Sequence, residues 1–511
     1  MIHDTTDLST IIPCQKCETR PKSLHIAPML DVSYREFRFL IRLLSRRCVL
    51  WTEMVVDETL VHSSNPDVHL AFEEDDTVSV YQKCHDHKNK LPQEEDEVEE
   101  EKQVEERDCQ RLSLHPIICQ IGGIQEHDTA FATRFIEQYK YDEVNLNIDC
   151  PSSRVSGKCF GAILMKKVTT AEALIKAMKN TVEKIPISVK TRVGIDEFDT
   201  FEHLVGFIQR LVDCGCHKFI IHARKCILGG LSPAQNRIVP PLNYPRVYKL
   251  CHEFPDCEFV MNGGIPGLKV AREICYGNDQ RSDHIYQHSV IPCKLCNASN
   301  GSCTVTLKNV PSNLSGCMLG RAVMENPAMF HDVDRYFYGE SSNPSRNRRH
   351  VLDQYCQYLE NIHPPQCCDE EDSLVEDPMD ARIKNKKGQR YCDVCYKFYD
   401  GSLTHYSDFV SLQEKHNRTM KISSHIIDRS LKPVLGIFFG LRNSKTFRRV
   451  CNTLSRERMI RDCGPGFILR LAMTCMPEEL LDQDFVKTED LEDHHMTVHV
   501  APSNDSHRCC T

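Results

Sequence analysis

The sequence predicts an α/β protein built on a (β/α)8 TIM barrel, followed by an all-α helical domain and carrying several low-complexity insertions. Short apolar segments alternate with amphipathic segments from residue 24 to about residue 330. Eight such apolar segments occur, which is the strand number of a closed parallel barrel. The 511 residues suffice for a barrel of about 250 residues and a second domain.

The predicted strands are short and mostly apolar, and each is followed by a helical pattern. They cover residues 24–28, 48–55, 115–120, 143–147, 186–190, 217–222, 257–261 and 316–320. A doubly wound open sheet is the alternative arrangement. It is less favoured because no G-x-G-x-x-G sequence opens the first helix.

The first predicted helix has apolar residues at i, i+3, i+4 and i+7, so one face should pack against the barrel. These residues are Phe37, Leu40, Ile41 and Leu44. Ser33 and Glu36 have the spacing of a capping box at its start. The helices at 170–183 and 199–213 show the same one-sided pattern.

Three polar stretches without periodicity interrupt the alternation and are predicted to be insertions, at about 66–114, 277–314 and 364–424. The predicted organisation is an N-terminal extension (1–21), the barrel (22–340), the helical domain (341–485) and a C-terminal tail (486–511).

The composition argues against a membrane protein. Hydrophobic residues make up 41% and charged residues 26% of the chain, and no run of about 18 apolar residues exists. The first residues lack the features of a signal or transit peptide, so we expect a cytoplasmic protein without membrane contact. The 28 cysteines are then reduced thiols, and a monomer is the expected state.

The charge is unevenly distributed. The net charge is −9, but residues 94–108 hold ten acids against Lys102 and Arg107, a contribution of −8 that leaves −1 for the rest. Residues 425–470 hold ten Lys and Arg against three acids. This excess is consistent with a phosphate-binding face, while an ordinary solvated helix surface explains it equally well.

In a (β/α)8 barrel the chemistry occurs at the carboxyl ends of the strands, so the residues that end each predicted strand are the candidate site residues. They are Ala27, Pro28, Met29, Gln120, Asn147, Lys190, His222, Asn262, Gly263, Gly264, Gly320 and Arg321. Asn262-Gly263-Gly264 and Gly320-Arg321 follow the last two strands, where barrels often bind a phosphate.

Cys150 lies just after the fourth strand, where Pro151 stiffens the loop and a thiol can face the barrel mouth. It is the candidate general acid. A buried packing thiol is the alternative, and Cys159 is a rival for the reactive thiol. For His222 a satisfied core histidine, and for Lys190 an ion pair at the barrel rim, are the alternatives.

Cysteine pairs with C-x-x-C spacing occur at Cys14/Cys17, Cys293/Cys296 and Cys392/Cys395. Two such pairs can make a tetrahedral zinc site, but the separations far exceed those of a compact zinc module. We therefore expect no metal.

Successive segments of the chain resemble the tRNA-dihydrouridine synthase family in order, most closely its bacterial A-type subfamily. The resemblance covers about residues 22–340, resumes in the helical region, and is carried by HIAPML, TEMV, QIGG, NLNIDCPSSRV, FGAILM, VKTRVGID, FIIHARK, LSPAQNR, IVPPLNYPRVY, MNGGI, GRAVMENP and SSHIIDRSLKPVLGIFFGLRNSKTFRR. No single motif carries it.

The resemblance implies an FMN-binding barrel with NADPH as reductant. The implied FMN-binding residues are Ala27, Pro28, Met29, Gln120, Lys190, His222, Asn262, Gly263, Gly264, Gly320 and Arg321. The implied tRNA-binding residues are Asn147, Arg224, Lys225 and Arg237 in the barrel and the basic tail with Arg442, Lys445, Arg448 and Arg449.

The implied activity is reduction of the C5–C6 double bond of a uridine in the D-loop of tRNA. Hydride passes from flavin N5 to C6 while Cys150 donates a proton to C5. Lys190 would supply the cation that a reduced flavin needs beside its N1–C2 carbonyl.

The chain departs from the family pattern at Asp149, where relatives usually have glycine before the catalytic cysteine. A carboxylate there is expected to raise the pKa of the thiol and to disturb a backbone conformation specific to glycine. Two other functions remain open: an FMN reductase of a small molecule, which needs no basic tail, and a non-catalytic tRNA-binding barrel.

Overall fold

Eight parallel strands form the centre of the molecule and follow the predicted order. The computed structural model describes residues 22–70, 113–151, 160–277, 310–364 and 422–488. The strands are β1 (Ser23–Ile26), β2 (Leu50–Val56), β3 (Ile117–Gly122), β4 (Glu143–Ile148), β5 (Ile187–Arg192), β6 (Lys218–His222), β7 (Glu258–Asn262) and β8 (Leu314–Leu319).

The α-helices within these ranges surround the strands and then continue as a separate group after residue 347. They are α1 (Arg35–Leu44), α2 (Asp57–His62), α3 (Asp67–Leu70), α4 (Glu126–Gln138), α5 (Val168–Thr181), α6 (Phe201–Asp213), α7 (Tyr244–Glu253), α8 (Leu268–Tyr276), α9 (Arg321–Glu325), α10 (Arg348–Ile362), α11 (Ser424–Leu431), α12 (Ser444–Leu454), α13 (Arg458–Arg461), α14 (Gly464–Met473) and α15 (Glu478–Asp482).

The sheet closes on itself and is therefore a barrel. The hydrogen-bonded strand order is β1-β8-β7-β6-β5-β4-β3-β2, and every pair is parallel. At the seam, the Val49 amide donates to Leu24 O at 2.8 Å and the Ile26 amide to Val49 O at 3.0 Å. The predicted barrel is confirmed, and the doubly wound alternative is wrong.

One side of the barrel interior is apolar. Trp51, Ile118, Ile220, Val260 and Met318 form a buried cluster between the strands. The indole Nε1 of Trp51 donates to His25 Nδ1 at 3.2 Å, and the other ring nitrogen of His25 contacts Ser23 Oγ at 2.8 Å. The polar atoms on this side are thus satisfied inside the barrel.

Helix α1 is buried on both faces, which differs from the predicted one-sided pattern. Phe37, Leu40 and Ile41 pack toward the barrel core as expected, and Phe39 on the opposite side is 1% exposed. The outer face is covered because the helical region packs on it. The Phe39 ring stacks on Tyr358 of α10 with a centroid distance of 3.8 Å.

The predicted capping box at the start of α1 is wrong. The helix begins at Arg35 with Tyr34 as N-cap and no side-chain cap. Ser33 Oγ instead donates to Ala27 O at 3.0 Å, and Glu36 pairs with Arg429 of α11 at 3.3 Å. Contacts with the barrel loop and the helical region therefore replace the local cap.

The predicted insertions fall largely on residues 71–112, 278–309 and 365–421, and these lie outside the described residues, as does the acidic block at 94–108. Within the ranges that the structure describes, no helix is long and apolar enough to cross a membrane.

We predict that Phe39→Ala lowers the free energy of unfolding by about 3 to 5 kcal/mol, because it removes a fully buried ring at the junction of α1 and α10. Urea denaturation followed by circular dichroism measures the change. Phe131→Ala on α4, where the ring is 43% exposed, is the control and should cost less than about 1 kcal/mol. Equal losses in the two variants would contradict the described packing.

Candidate active site at the barrel mouth

The carboxyl ends of β4, β5 and β6 bring the predicted residues Lys190 and His222 to one point beside the loop that holds Cys150. Lys190 is 5% exposed at its side chain, and His222 is 9% exposed. Cys150 is only partly buried and packs against the core. The thiol, Lys190 and His222 therefore lie at the same end of the barrel, although β5 continues two residues past Lys190, to Arg192, where the sequence had predicted its end at Lys190.

Asp149 lies at the centre of this group. Its carboxylate accepts a hydrogen bond from Lys190 Nζ and another from Arg192 Nε at 2.7 Å. His222 Nδ1 is 3.2 Å from the same carboxylate. The backbone of Asp149 lies outside the left-handed region, so this position does not require glycine and the expected conformational disturbance is absent.

The pKa values of Asp149 and His222 are both lowered at this point, for different physical reasons. Although burial acts against it, the positive charges of Lys190 and Arg192 hold the pKa of Asp149 well below its usual range. Burial, with a further contribution from Arg192, lowers the pKa of His222 to about 4 in spite of the nearby carboxylate. At neutral pH Asp149 is therefore an anion and the imidazole of His222 is neutral.

A chain of hydrogen bonds crosses the polar side of the barrel interior and ends at the loop that holds Cys150. Its members come from β3, β4, β5 and β6, and every amide among them is buried. In order they are Lys218, Glu143, Ser188, Asn145, Gln120 and Asn147. In each of the last three bonds of this series, the side-chain amide nitrogen lies 2.8 Å from the oxygen that accepts from it.

Asn147 connects this series of hydrogen bonds to the loop that holds Cys150. Its Nδ2 donates to Gln120, and its Oδ1 accepts the backbone amides of Asp149 at 3.1 Å and Cys150 at 3.0 Å. The sequence predicts a contact between Asn147 and a nucleic acid. In the structure the side chain is buried and its Nδ2 and Oδ1 make these hydrogen bonds, so that contact stays a prediction. Asn147 therefore fixes the position of the cysteine.

Glycines after β7 leave space at the mouth. Gly263 has φ of 114° and Gly264 has φ of 64°, values that favour glycine. A Cβ on Gly263 would lie 2.8 Å from His222 Cδ2. Asn262 is turned inward and donates to Met318 O at 2.9 Å. The predicted Asn-Gly-Gly segment thus brings backbone close to His222.

The loop after β1 and the start of α9 are neighbours on the opposite rim. A Cβ on Gly320 would lie 3.5 Å from Ala27 Cβ and 3.8 Å from Met29 Sδ. The Ala27 amide donates to Leu319 O at 2.7 Å. Pro28 lies between the two residues that contact Gly320, so these predicted residues share one wall of the mouth.

Arginines form a second positive group at the mouth. Arg224 Nη1 donates to Ile238 O at 3.1 Å, and Arg321 Nη2 to Arg237 O at 3.3 Å. Burial and the charge of Arg321 lower the pKa values of both Arg224 and Arg237. Within the described part of the chain the buried Nε of Arg224 has no hydrogen-bond partner. Crowded cations with an unpaired donor are suited to an anionic ligand.

The remaining predicted basic residues are at the surface. Lys225 pairs with Asp199 at 3.1 Å. Four further residues are exposed along or just before α12, whose opposite face is buried: Arg442, Lys445, Arg448 and Arg449. This helix adjoins the mouth, because Arg448 donates to Leu435 O at 3.0 Å and Gly436 packs against Glu325 and Pro327.

Arg192 also belongs to this site and is not among the residues predicted from the sequence. Its side chain is 2% exposed and binds Asp149, Lys225 O at 3.2 Å and Asn236 O at 3.1 Å. A signal was present, since Lys190 and Arg192 are two residues apart in a strand and so point to the same side. Two cations facing into a barrel need a shared anion, which the sequence places at Asp149.

Metal-ligand residues do not gather in the parts of the chain that the structure describes. No group of three or more His, Cys, Asp or Glu side chains there is arranged to hold a metal ion. The three C-x-x-C pairs and Cys159, the rival thiol, all lie outside those residues.

The chain is similar to proteins of one family. A family model described as dihydrouridine synthase matches residues 93–278, which include Cys150, Lys190 and His222. A protein of Escherichia coli O6:H1 named tRNA-dihydrouridine(20/20a) synthase is 35% identical over 317 residues, covering 62% of this chain and 72% of that protein. A protein of the same name from Vibrio vulnificus is 31% identical over 338 residues, covering 66% and 80%.

We predict that His222 contributes to loss of stability in acid. The native imidazole stays neutral to about pH 4, whereas the unfolded chain takes up a proton near pH 6.5. The free energy of unfolding therefore falls as the pH falls from about 6.5 to 4, by up to about 1.4 kcal/mol per pH unit. His222→Gln should reduce the total loss by about 3 kcal/mol in urea titrations at several pH values.

His127→Gln is the control, since His127 is 87% exposed, and it should follow the wild-type pH profile. If His222→Gln also follows that profile, His222 is protonated in the native state and the described environment is wrong.

Proposed function

The chain belongs to the dihydrouridine synthase family, and on that premise we propose that it reduces the C5–C6 double bond of a uridine in the D-loop of tRNA, with FMN as bound cofactor and NADPH as reductant. One observation carries the proposal: Cys150, Lys190 and His222 meet at the carboxyl end of the barrel, inside the matched region. A thiol and a cation at one barrel mouth are the groups that this reduction needs.

The residues at the mouth fit a flavin mononucleotide. Arg321, whose charge lowers the pKa values of Arg224 and Arg237, suits its phosphate, and Gly263 leaves room for backbone to approach it. Lys190 and Gln120 offer donors to the polar edge of the ring, with Asn262, Gly264 and the wall of Ala27, Pro28, Met29 and Gly320 around it. When bound, the flavin supplies hydride that originates from NADPH.

Cys150 is the proposed general acid. Its amide is held by Asn147 at 3.0 Å, and Pro151 follows it, so the backbone that carries the thiol is held beside the mouth. The thiol donates a proton to C5 of the uridine, which balances hydride arrival at C6. Asn147 and the hydrogen-bonded chain behind it act on this step only by positioning the loop.

The uridine must leave its stack to reach the mouth, which costs a few kcal/mol and needs compensation from contacts with the tRNA backbone. Arg224 and Arg237 at the rim are proposed to contact phosphates nearest the base. The exposed side chains of α12 and of Arg442 just before it extend this positive surface over the neighbouring helical region. Lys225 would be released from Asp199 to join it.

We predict that NADPH decolourises the flavin of the purified protein and that unmodified tRNA restores the colour under anaerobic conditions. Cys150→Ala should be decolourised at the wild-type rate, but its recovery with tRNA should slow by about 100-fold or more, because only the proton donor is lost. Stopped-flow absorbance measures both rates, and Cys214→Ala, another partly buried thiol, is the matched control.

Recovery that ignores tRNA but responds to a small unsaturated compound would replace this function with a small-molecule reductase. A protein that binds tRNA but takes up no FMN would be a non-catalytic tRNA-binding barrel. Equal recovery in Cys150→Ala and the wild type would leave the reaction in place and remove Cys150 as its acid.

We predict that Lys445→Ala/Arg449→Ala weakens tRNA binding and makes it less sensitive to salt. Each lost phosphate contact should reduce the slope of log affinity against log salt by about 0.7 to 0.9, so the double variant should lose about 1.5. Fluorescence anisotropy with labelled tRNA at several salt concentrations measures this slope.

Lys176→Ala/Lys179→Ala is the control because it removes the same charge from exposed positions on α5, outside the proposed tRNA surface. If this control and the α12 variant lose the same affinity, tRNA binding depends on overall charge rather than on α12.

A further inference from the structure

The proposed reaction does not use Asp149, yet two buried basic side chains and a neutral imidazole surround its carboxylate. Lys190, Arg192 and His222 all contact it. The Asp149 side chain is itself 15% exposed, so it lies at the inner limit of the mouth rather than behind it.

The ammonium group of Lys190 cannot pair fully with both the Asp149 carboxylate and the proposed flavin. Its Nζ donates directly to Asp149 Oδ2, and the side chain is 5% exposed. The proposed flavin needs the same ammonium group beside its N1–C2 carbonyl, where a cation stabilises negative charge. A carboxylate already in place both occupies a donor of Lys190 and cancels its charge.

The loop is built so that this ion pair can break without loss of the loop. The Asp149 backbone amide donates to Asn147 Oδ1 at 3.1 Å, and its carbonyl accepts from Arg192 Nε at 3.0 Å. Arg192 Nε carries a single N–H, which the Asp149 carbonyl shares with the Asp149 carboxylate at 2.7 Å, so this N–H can remain on the carbonyl when the carboxylate turns away. A rotation of the side chain alone would release Lys190 while Arg192 stays attached.

We propose that the Asp149 carboxylate is an internal anion that competes with the flavin ring for Lys190, and that it thereby sets the affinity of this chain for its cofactor. The proposal rests on the flavin-dependent function given above. Asp149 is in this view a positioning residue that acts through Lys190 and makes no contact with the uridine.

We predict that Asp149→Asn changes stability and cofactor affinity in opposite directions. Without flavin, the variant should unfold at a lower temperature, because Lys190 and Arg192 lose their shared counter-charge while buried. With flavin, it should bind FMN about tenfold to a hundredfold more tightly, because no charge-assisted hydrogen bond has to break first. A purely structural residue would lower both quantities.

The experiment uses the full chain stripped of flavin and titrated with FMN, with fluorescence quenching giving the dissociation constant and thermal unfolding measured in parallel. Riboflavin is the second probe. It lacks the phosphate, so a gain at Lys190 must appear with riboflavin too, whereas a gain confined to FMN would assign the effect to the arginines and overturn the proposal.

Asp332→Asn is the matched control. The Asp332 side chain is fully buried and pairs with Arg335 at 2.7 Å, and its carboxylate also accepts hydrogen bonds from Asn343 and Thr488 instead of facing the mouth. It should lower the unfolding temperature and leave the FMN dissociation constant unchanged. Asp149→Gly is the second test variant, since it also removes the charge but leaves space for water beside the two cations.

Tighter FMN and riboflavin binding by either neutral variant supports the proposal. Wild-type binding of FMN with no gain in either folded variant overturns it and leaves the proposed function intact. If the variants bind FMN and the wild type does not, the proposal about Asp149 is supported, but the native chain does not carry out the flavin-dependent reaction. Absence of binding in all three proteins, or variants that do not fold even when refolded with FMN, overturns it.

Discussion

The donor-to-acceptor direction of one buried series of hydrogen bonds, from Lys218 to Asn147, determines how the backbone at Cys150, the candidate acid, is held. Glu143 carries a carboxylate that can only accept, so Ser188 must donate to it and accept from Asn145. Each following amide must then donate in the same sense, through Gln120 to Asn147. This leaves the oxygen of Asn147 facing the loop, where it takes two backbone amides. A charge at the amino ends of the strands thus orients a loop at their carboxyl ends.

The charges of Lys190, Arg192 and Asp149 at the mouth affect both the stability of the protein and its affinity for a ligand. Lys190 and Arg192 are nearly fully buried, a situation that is costly without a nearby anion. Asp149 supplies that anion. The same carboxylate that keeps the mouth stable without a ligand also reduces the positive charge offered to one. Stability and ligand affinity are therefore opposed at this position.

The helical region contributes to the barrel as well as to the surface. It covers the outer face of α1 through Phe39 and Tyr358, and Glu36 pairs with Arg429 across the same junction. Lys432 reaches the loop after β1 and donates to Asp31 O at 2.6 Å. The basic helix α12 is consequently held beside the mouth by packing, and its position does not depend on a bound nucleic acid.

The sequence by itself determined the eight strands, their order and the loop in which Cys150 lies, because the alternation of apolar and amphipathic segments needs only local information. It ended β3 and β5 two residues early, at Gln120 and Lys190 instead of Gly122 and Arg192. Motif resemblance supplied the family. Only the tertiary structure decided that Asn147 faces inward, that Arg192 joins the site, that Ser33 and Glu36 do not cap α1, and that Asp149 pairs with Lys190. Each of these depends on which side chains from distant segments compete for one donor, acceptor or charge, and that competition exists only after the barrel closes.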